Sequence, residues 1–422
     1  MYKKLLLFFI LLPTTCLAQF TISGKLLDYS TKLPVANADI FINNATIGTN
    51  SSDNGTFVLK GIKSGKYDII VSIVGYNVYS QSVIIGNRNI TLPDIYLIQQ
   101  SKMLREVVVR PHEINSAWYD MFKKQFIGTS ELAQDCTILN PQVINLQYDD
   151  NTKTLTASSD DYIQIENDAL GYLIKYQLIS FQYSADETST TLQYKGNVRY
   201  AQLPGSVSRQ RGWQQARLEA YKNSALHFYR AAIADSVAEE GFQLQQLAFY
   251  DNPNRPSDSI INAEIKHCLN HGYELRDSLQ YWRRELKVPK RLTTLWPYAL
   301  RGDEILHTTN SPGIFAITCE MDGLFVTYNE NKHFSTKSDV YGAFNPRNRD
   351  ITLIRFNAPI DFLNTNGTII NTDSIYYTGV WANQRMADYL PIDYEPSQNN
   401  EPVDSAVSKK IIAGVVFAKK EV

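Results

Sequence analysis

Between Thr21 and Leu97 the chain alternates apolar and polar residues with a period of two, in short runs separated by turn residues. Successive side chains of a β-strand face opposite ways, so one side of each run is apolar. The apolar sides hold Ile40 and Ile42, Phe57 and Leu59, and Ile69, Val71 and Ile73. The turns are Asp53-Asn54-Gly55, Ser64-Gly65 and Val74-Gly75-Tyr76. This pattern predicts six or seven half-buried strands that pack as a small β-sandwich over residues 20–97.

The chain changes to a helical period after residue 115 and then returns to strands. Trp118, Phe122 and Phe126 recur every four residues until Gly128, which predicts one helix. Strands are predicted next, with a hairpin turn at residues 149–153. Their bounds are Val143–Tyr148, Thr154–Ala157, Tyr162–Glu166, Gly171–Tyr183, Thr190–Tyr194 and Val198–Leu203.

Two further stretches carry apolar stripes at helical spacing. One helix is predicted over residues 208–240, before Gly241, and another over residues 274–286, before Pro289. We expect both stripes to pack in a core. The stripe residues are Trp213, Ala216, Ala220, Tyr221, Ser224 and Phe228 in the first helix, and Leu275, Leu279, Trp282 and Leu286 in the second.

Strands are predicted again in the C-terminal third. Asp322-Gly323 is the strongest short hairpin signal of the chain and lies between apolar runs at 314–321 and 324–328. Further strands are predicted at residues 351–356, 368–370 and 374–380, with a turn at Asn366-Gly367. Helices between two β sections indicate one α+β domain over residues 115–394. A polar, proline-bearing tail follows over residues 395–422.

The first region resembles a known module through residues spread along its whole length. They are Gly24, Asp28, Pro34, Ala38, Gly48-Thr49, Asp53, Gly55, Phe57, Leu59, Gly65, Tyr67 and Gly75-Tyr76. The pattern is similar to the carboxypeptidase-regulatory-like domain, a transthyretin-like module at the N-terminus of many exported Bacteroidetes proteins. The resemblance implies an all-β Greek-key sandwich ahead of the α+β domain. It covers less than a fifth of the 422 residues and names no activity.

Residues 103–109, Met-Leu-Arg-Glu-Val-Val-Val, form a second apolar run before Pro111. This run resembles the segment that follows the same module in TonB-dependent receptors, close to their contact with the energy-coupling protein TonB. Such a receptor needs a barrel of about 22 strands of about ten residues each. The remaining residues, which also contain helices, are too few for that barrel. We therefore favour a linker strand over residues 98–114.

The first 18 residues have the three parts of a secretory signal peptide. Lys3 and Lys4 precede the apolar core Leu5–Leu12, and Cys16-Leu17-Ala18 supplies a small-x-small cleavage site. We expect cleavage after residue 18, because the core is too short to span a bilayer. A lipoprotein signal at Cys16 is the alternative, but Pro13-Thr14-Thr15 lacks the residues that it requires. The expected location is the periplasm or the outer membrane.

Charge and hydropathy exclude two classes of partner. The chain has 41 basic and 43 acidic residues, and loss of Lys3 and Lys4 leaves 39 against 43, a net charge of −4. A surface for nucleic acid is therefore not expected. After the signal peptide, no segment approaches 18 apolar residues free of charge, so no transmembrane span is predicted.

Cys136, Cys268 and Cys319 remain after cleavage, an odd number at wide spacing. One disulfide with one free thiol has three possible pairings, among which the spacing does not choose. We favour buried, unpaired thiols, because each cysteine stands singly among apolar residues.

The best candidate for a metal site is the set His267, His271 and Glu274, spaced i, i+4 and i+7. On a continuous helix, two imidazoles and a carboxylate would share one face, which could bind zinc. His271 and Glu274 also match the H-x-x-E ligand pair of zinc carboxypeptidases. A third ligand would then come from His307 or His333.

Two residues argue against this site. Cys268 stands where a zincin has its general base, and Gly272 weakens the helix by about 1 kcal/mol. The sequence also lacks a G-x-S-x-G elbow and phosphate-binding glycine loops, and Ser206 is placed as a helix cap. We therefore predict no catalytic residue, no cofactor and no metal, and interpret the histidines as part of a solvated helix face.

Asp-Ser followed by an apolar residue recurs along the chain and resembles the O-glycan acceptor of Bacteroidetes envelope proteins. The sites are Asp235-Ser236, Asp258-Ser259, Asp277-Ser278, Asp373-Ser374 and Asp404-Ser405. Asp-Ser also begins helices and turns, which leaves a structural interpretation open. Ser405, in the predicted tail, is the best placed acceptor.

The second region is similar to the C-terminal part of exported Bacteroidetes proteins that carry the same module and have no defined activity. The matching stretches begin at Phe126, Cys136, Glu166 and Arg209. The 26 tyrosines indicate either a stacking surface for sugars or peptides or, as we favour, the edge of a core. We predict an exported cell-envelope protein with a non-enzymatic binding or scaffold role toward an envelope protein or glycan. The alternatives are a zinc-dependent peptidase and an accessory of a TonB-dependent uptake system.

Overall fold

The computed structural model describes residues 19–100, 115–185, 190–271, 275–332, 350–371 and 374–396. The predicted signal peptide, residues 101–114, Glu274, His333 and the chain after residue 396 lie outside these ranges.

Eight strands make up the N-terminal region. They are β1 (Phe20–Asp28), β2 (Asp39–Ile42), β3 (Gly48–Asn50), β4 (Thr56–Ile62), β5 (Gly65–Ser72), β6 (Tyr79–Ile85), β7 (Ile90–Thr91) and β8 (Ile95–Leu97). One sheet has the order β4-β1-β7, with β8 also paired to β1, and the other has the order β3-β2-β5-β6. The predicted β-sandwich is confirmed, with eight strands rather than six or seven.

The predicted inward faces form the core of this sandwich. Its members include Ile40, Ile42, Phe57, Leu59, Ile69 and Val71, each at most 3% exposed, and Ile73 packs at the rim. The turn before β4 needs Gly55, whose φ is +76° and whose side chain, if it had one, would clash with the carbonyl oxygen of Leu26. The alternation of apolar residues and the glycine of the turn therefore specify the same strand pairing.

A six-stranded sheet follows, with one long helix on it. The elements are α1 (Ser116–Phe126), α2 (Glu131–Gln134), β9 (Cys136–Ile138), β10 (Ile144–Asp149), β11 (Thr154–Ser159), β12 (Ile163–Asn167), β13 (Tyr172–Ala185) and β14 (Thr190–Gln202). The order is β10-β11-β13-β12-β9, with β14 on β13. Phe122 and Phe126 of α1 are fully buried against the sheet, which confirms that predicted helix. The last two predicted strands are one, β14, paired with β13 through a bulge.

Two helices, α3 (Val207–Tyr221) and α4 (Ala225–Ile233), replace the single helix predicted over residues 208–240. Asn223, at φ +53°, breaks the helix. Ser224 then caps α4 by accepting a hydrogen bond from the backbone N–H of His227 (3.1 Å). The prediction was wrong because the apolar stripe runs on across the break. Ser206 caps α3, as predicted.

A helical hairpin lies between two paired strands. The elements are β15 (Phe242–Asp251), α5 (Asp258–His271), α6 (Arg276–Glu285) and β16 (Arg291–Leu300). The stripe on α6 was predicted to be core, and this is wrong: Leu279 and Trp282 are half-buried, and Leu286 is 44% exposed. The reason is that α6 packs mainly on α5 and not beneath a sheet.

The remaining elements complete two more sheets. They are α7 (Gly302–Ile305), β17 (Leu306–Thr308), β18 (Ile314–Thr318), β19 (Gly323–Tyr328), β20 (Ile351–Phe356), β21 (Ile360–Asn364), β22 (Ile375–Gly379) and α8 (Val380–Asn383). The sheet orders are β16-β15-β19-β20-β22 and β17-β18-β21.

The hairpin predicted at Asp322-Gly323 is wrong, because β18 and β19 belong to different sheets. The Asp322 carboxylate instead accepts a hydrogen bond from the backbone N–H of Phe249 in β15 (2.6 Å). Asn366-Gly367 is a turn, as predicted, but the strand predicted at 368–370 contributes one isolated bridge.

The described residues are mostly β-sheet with few helices. The α+β assignment of residues 115–394 stays a prediction. Among the helices in the described ranges, none has the length and apolar character needed to cross a membrane.

Candidate binding site at the sandwich seam

The sandwich is joined to the second region along one edge, which we name the seam. The loop over residues 43–46, after β2, runs beside β14. The Asn44 N–H donates to the carbonyl of Val198 (2.8 Å), and the Tyr200 N–H donates to the carbonyl of Ala45 (3.0 Å). Backbone hydrogen bonds in both directions therefore join the sandwich to the six-stranded sheet.

An ion pair closes the same edge. Arg199 of β14, 8% exposed, pairs with Asp39 of β2. Burial lowers the pKa of Arg199 to about 10, so the guanidinium remains charged at neutral pH. Removal of Asp39 alone would leave a buried, unpaired cation.

The C-terminal segment over residues 384–395, which we name the strap, crosses the seam. The Met386 N–H donates to the carbonyl of Phe126 (3.1 Å), and the Ile392 N–H donates to the carbonyl of Asn44 (2.8 Å). Met386 belongs to the core of the six-stranded sheet, whereas Ile392 packs on the core of the sandwich. One short segment therefore connects two hydrophobic cores.

Arg230 on α4 holds the strap in place. Its guanidinium, with the side chain 13% exposed, donates to three carbonyl oxygens. The acceptors are Asn366 (2.9 Å), Ile392 (3.0 Å) and Tyr394 (2.6 Å). The planar, multi-donor guanidinium suits this arrangement, which a lysine could not reproduce.

The strap, α4 and the sandwich border a cavity of about 420 Å³. Its sandwich side is polar and includes Asn43, Lys66, Asp68 and Ser82. Its opposite side is mainly aromatic and aliphatic and includes Tyr229, Ile369, Met386, Tyr389 and Leu390. The volume falls in the range of small-ligand sites, about 300–1,000 Å³. A bound molecule would meet hydrogen-bonding groups on the sandwich side and mainly apolar side chains on the other.

Two carboxyl groups of the strap have raised pKa values. Burial raises the pKa of Asp388, which lines the cavity, although hydrogen bonds from Ser130 and from the Arg385 N–H (2.9 Å) oppose the shift. Burial also raises the pKa of Asp393, whose oxygens accept from the N–H (2.8 Å) and the hydroxyl of Thr46. Asp388, a carboxyl group perturbed by burial at the cavity, is therefore a candidate for a functional site.

Tyrosine hydroxyls add neutral hydrogen-bonding groups. The hydroxyls of Tyr229 and Tyr377, both at the cavity, are 3.0 Å apart and hydrogen-bonded. Burial raises the pKa of Tyr67, also at the cavity, to about 12. These phenols stay protonated at neutral pH, and each can both donate and accept a hydrogen bond.

The histidines proposed as metal ligands lie elsewhere. His267 and His271 are exposed on α5, with ring centroids 4.2 Å apart, and Nδ1 of His271 lies 2.9 Å from the carbonyl of His267. His307 on β17 bonds through Nε2 to the Thr318 hydroxyl (2.9 Å). Glu274 and His333 fall outside the described residues. Within the described ranges, no three His, Cys, Asp or Glu side chains are grouped as a metal site would require.

Of the residues that carry the module resemblance, Tyr67 lines the cavity, whereas Asp28 has a structural role. Asp28, 3% exposed, accepts hydrogen bonds from the N–H groups of Ser30 (2.9 Å) and Thr31 (2.7 Å), the Tyr76 hydroxyl (2.8 Å) and the Gln99 amide (2.9 Å). These bonds, that of Thr31 first, hold the pKa of Asp28 well below its usual range. This part of the motif preserves the sandwich and does not form the cavity.

The thiols follow the favoured interpretation. Cys136 and Cys268 are buried, Cys319 is half-buried, and all three are unpaired. Burial raises the pKa of Cys136 to about 12, so it is not a reactive thiol.

The candidate glycan acceptors divide by exposure. Ser374 is 7% exposed and donates to the carbonyl of Asn371 (2.7 Å), so it is not accessible to a glycosylating enzyme in the folded protein. Ser259 and Ser278 are exposed on the helical hairpin, and Ser236 is half-buried. Asp373 and Ser405 lie outside the described residues.

Residues 22–109 match the family of CarboxypepD_reg-like domains. The match confirms the resemblance seen in the sequence and extends 12 residues beyond Leu97, from 97 to 109. It leaves most of the chain without a family. A comparison with curated proteins found no match.

Several solved structures are similar over a small part of the chain. The group B streptococcus pilus 2b backbone protein is 21% identical over 20% of this chain and 43% of that chain, with a TM-score of 0.18. A type II cohesin–X-dockerin complex from Acetivibrio cellulolyticus is 20% identical over 18% and 56%, with a TM-score of 0.17. BcpA, the major pilin subunit of Bacillus cereus, is 15% identical over 20% and 31%, also at 0.17. This chain spans less than two thirds of each, and similarity this local carries no conclusion about function.

Sequence reasoning missed the seam. Arg230, Asp388 and Asp393 belong to no motif, and residues 384–394 were included in the predicted α+β domain without an element or a role of their own. The signal that could have found it is weak: Met386 and Ile392 are apolar residues among polar ones, which favours burial.

Proposed function

We propose that this protein is exported to the cell envelope and binds a glycan in the seam cavity without chemical turnover. The observation that carries the proposal is the two-sided cavity of about 420 Å³ between sandwich, α4 and strap. The family match of residues 22–109 fits a binding or scaffold role. The signal-peptide pattern of residues 1–18 supports export, and we propose the periplasm or the outer membrane as the location.

A glycan suits this cavity better than a purely apolar ligand. A sugar presents hydroxyl groups around its edge and an apolar face, so its site needs polar side chains beside aromatic rings. Lys66 and Asp388 supply a cation and a carboxyl group, and Asn43 supplies an amide. Tyr389, 38% exposed, supplies a ring on the opposite side.

Titration calorimetry of the mature chain, residues 19–422, tests the proposal with two panels of ligands. One panel contains envelope oligosaccharides and peptidoglycan fragments, and the other contains short peptides. Tyr389→Ala removes a ring from the cavity and should weaken glycan binding at least about ten-fold, which is about 1.4 kcal/mol. Tyr281→Ala, on α6 and 45% exposed, is the matched control and should bind normally.

Three outcomes would contradict the proposal. Equal affinity of the Tyr389→Ala variant and the unaltered protein would place binding outside the cavity. Saturable binding of peptides without any glycan would give the wrong ligand class. Cleaved product in the titration mixture would show turnover.

A further inference from the structure

The helical hairpin of α5 and α6 carries an excess of basic residues. The sequence between residues 255 and 291 has eight basic and five acidic residues, a net charge of +3, in a chain whose 41 basic and 43 acidic residues give −2. The two helices pack mainly on each other, and Ile261 and Cys268 of α5 are buried. Each helix therefore has exposed residues on both sides of its packed face.

One side of the hairpin is basic. Lys266, Leu269 and Arg283 each directly follow a buried or half-buried residue, which is a rotation of about 100° around the helix. Because α5 and α6 are antiparallel neighbours, this rotation carries all three side chains to the same side of the pair. Lys287 lies one turn after Arg283 and shares its side, and Arg284 lies next to it on the outer side of α6. These five residues are exposed, and we name them the basic face.

The acidic residues of the two helices lie away from the basic face. Glu264 and Glu285 are half-buried, and each is two positions from a cation of that face, which places it on the other side of its helix. Asp277 is in the first turn of α6, about 10 Å along the helix from Arg284. Glu274, in the connection between the helices, falls outside the described residues. The charges of the hairpin are therefore segregated.

The acid at the start of α5 does not neutralise the basic face either. Asp258 pairs with Arg255 (2.7 Å) and with Lys290, neither of which belongs to that face. Among the residues that the structure describes, no carboxylate forms an ion pair with any of the four cations of the basic face. Their charges are therefore available to an external anionic partner.

Two exposed apolar side chains lie beside these cations. Leu269, near the end of α5, is 56% exposed, and Leu286, directly before Lys287, is 44% exposed. A soluble polyanion needs only the cations, whereas the surface of a bilayer offers phosphate groups above an apolar layer and accommodates both kinds of side chain. Cations on successive turns of α6 also suit an array of lipid headgroups better than a single phosphate.

We propose that the basic face docks the protein on an anionic lipid bilayer. The hairpin lies along the membrane surface, with its four cations at lipid phosphates and Leu269 at the boundary between headgroups and acyl chains. Each cation near such a surface strengthens binding about five-fold, so the four together hold the protein at the membrane without a spanning segment. This inference is independent of the proposed glycan site and uses none of its residues.

Sedimentation of the purified mature protein with phospholipid vesicles tests the proposal. Vesicles of phosphatidylglycerol and phosphatidylethanolamine should bind the protein, vesicles of phosphatidylcholine alone should not, and added salt should release it. Arg283→Gln with Lys287→Gln removes two cations of the basic face and should lower the partition coefficient at least about ten-fold. The matched control, Lys123→Gln with Lys124→Gln, removes two exposed cations of α1 and should bind as the unaltered protein does. Equal binding to both kinds of vesicle, or an unchanged partition coefficient in the Arg283/Lys287 variant, would overturn the proposal.

A second pair of variants distinguishes a bilayer from a soluble polyanion. Leu269→Ser should weaken binding to the anionic vesicles several-fold, because the leucine no longer reaches an apolar layer. Leu139→Ser, at an exposed leucine outside the hairpin (41%), should leave binding unchanged. Circular dichroism and thermal unfolding verify that all variants are folded. Unweakened vesicle binding by Leu269→Ser, together with tight binding of heparin, would assign the basic face to an acidic polysaccharide and overturn the proposal.

Discussion

Asp28 in the sandwich and Asp393 in the seam are both held away from solvent, yet their surroundings shift their pKa values in opposite directions. Asp28 accepts five hydrogen bonds, including one from the Thr31 hydroxyl, and these hold its pKa low. Asp393 is hydrogen-bonded by Thr46, and burial outweighs those bonds and raises its pKa. Hydrogen bonds therefore compensate for the burial of the Asp28 carboxylate, whereas those to Asp393 do not fully offset its loss of hydration.

This difference separates a structural region from a candidate functional one. A fully hydrogen-bonded carboxylate stabilises a fold and has little capacity left for a ligand. The penalty of a desolvated carboxyl is relieved when a proton or a ligand reaches it, and of the two strap carboxyl groups with raised pKa values, Asp388 lines the cavity. We therefore interpret the sandwich as a structural region, and the seam as the region whose stability depends on protonation or on a bound ligand.

The largest expected effect is that of Arg230→Ala at the seam. Three carbonyl oxygens lose their guanidinium donors, so the free energy of unfolding should fall by about 3 kcal/mol. Urea unfolding measures the loss, and hydrogen exchange should show faster exchange over residues 384–395. The control Arg301→Ala removes an arginine that is 67% exposed and should change little. A change below about 0.5 kcal/mol, typical of surface sites, would mean that the strap does not depend on Arg230.

Asp28→Asn tests the sandwich and should have a smaller but clear effect. The amide nitrogen would point a donor at donors from Thr31 or Tyr76, so the melting temperature should fall by several degrees. Exchange should increase in β1 and β8 and not in the strap. Asp53→Asn, at an exposed turn, is the control. Unchanged melting would show that Asp28 is not a stabilising residue.

The pH dependence should have opposite signs in the two regions. The folded pKa values of Asp388 and Asp393 lie above the ordinary value of about 3.9, so their contribution is favourable at low pH and is lost as pH rises through the raised values. The pKa of Asp28 lies below the ordinary value, so the stability that its carboxylate contributes is lost only as the pH falls below about 4. Hydrogen exchange, corrected for intrinsic rates, should show the strap better protected at pH 5 than at pH 7 and β1 unchanged. Equal changes in both regions would remove the contrast.

The smallest expected effect is that of Asp393→Asn. The substitution removes a charge that burial disfavours and keeps an oxygen for Thr46, so stability at pH 7 should change by no more than about 1 kcal/mol. The gain in strap protection on going to pH 5 should shrink in this variant. Persistence of the full gain would assign the pH response to Asp388 or to another group.

The candidate site could not be predicted from the sequence, because residues far apart in the chain form it. Asp393 meets Thr46 across 347 residues of chain, and Lys66 meets Asn364 across 298. No local period or short motif encodes such a pairing. The two histidines on α5 show the reverse case: their spacing correctly places them on one helix, but no third ligand joins them within the described residues.

Local chemistry decided the N-terminal sandwich. Ile40 and Ile42, and likewise Ile69 and Val71, are two residues apart and therefore lie on the same, inward face of their strands. The turn before β4 requires a glycine, Gly55. Both features are local, because the direction of a side chain in a strand follows from its position along that strand.

Tertiary structure decided the rest. Trp213 of α3 and Trp282 of α6 lie on similar helical stripes, yet Trp213 is 5% exposed, whereas Trp282 is half-buried on a helical hairpin whose two helices pack mainly on each other. Asp322-Gly323 has the residues of a hairpin turn but connects two different sheets. An amphipathic period in the sequence indicates which side of a helix or strand is apolar. Which surface covers that side, and whether any surface does, depends on distant parts of the chain.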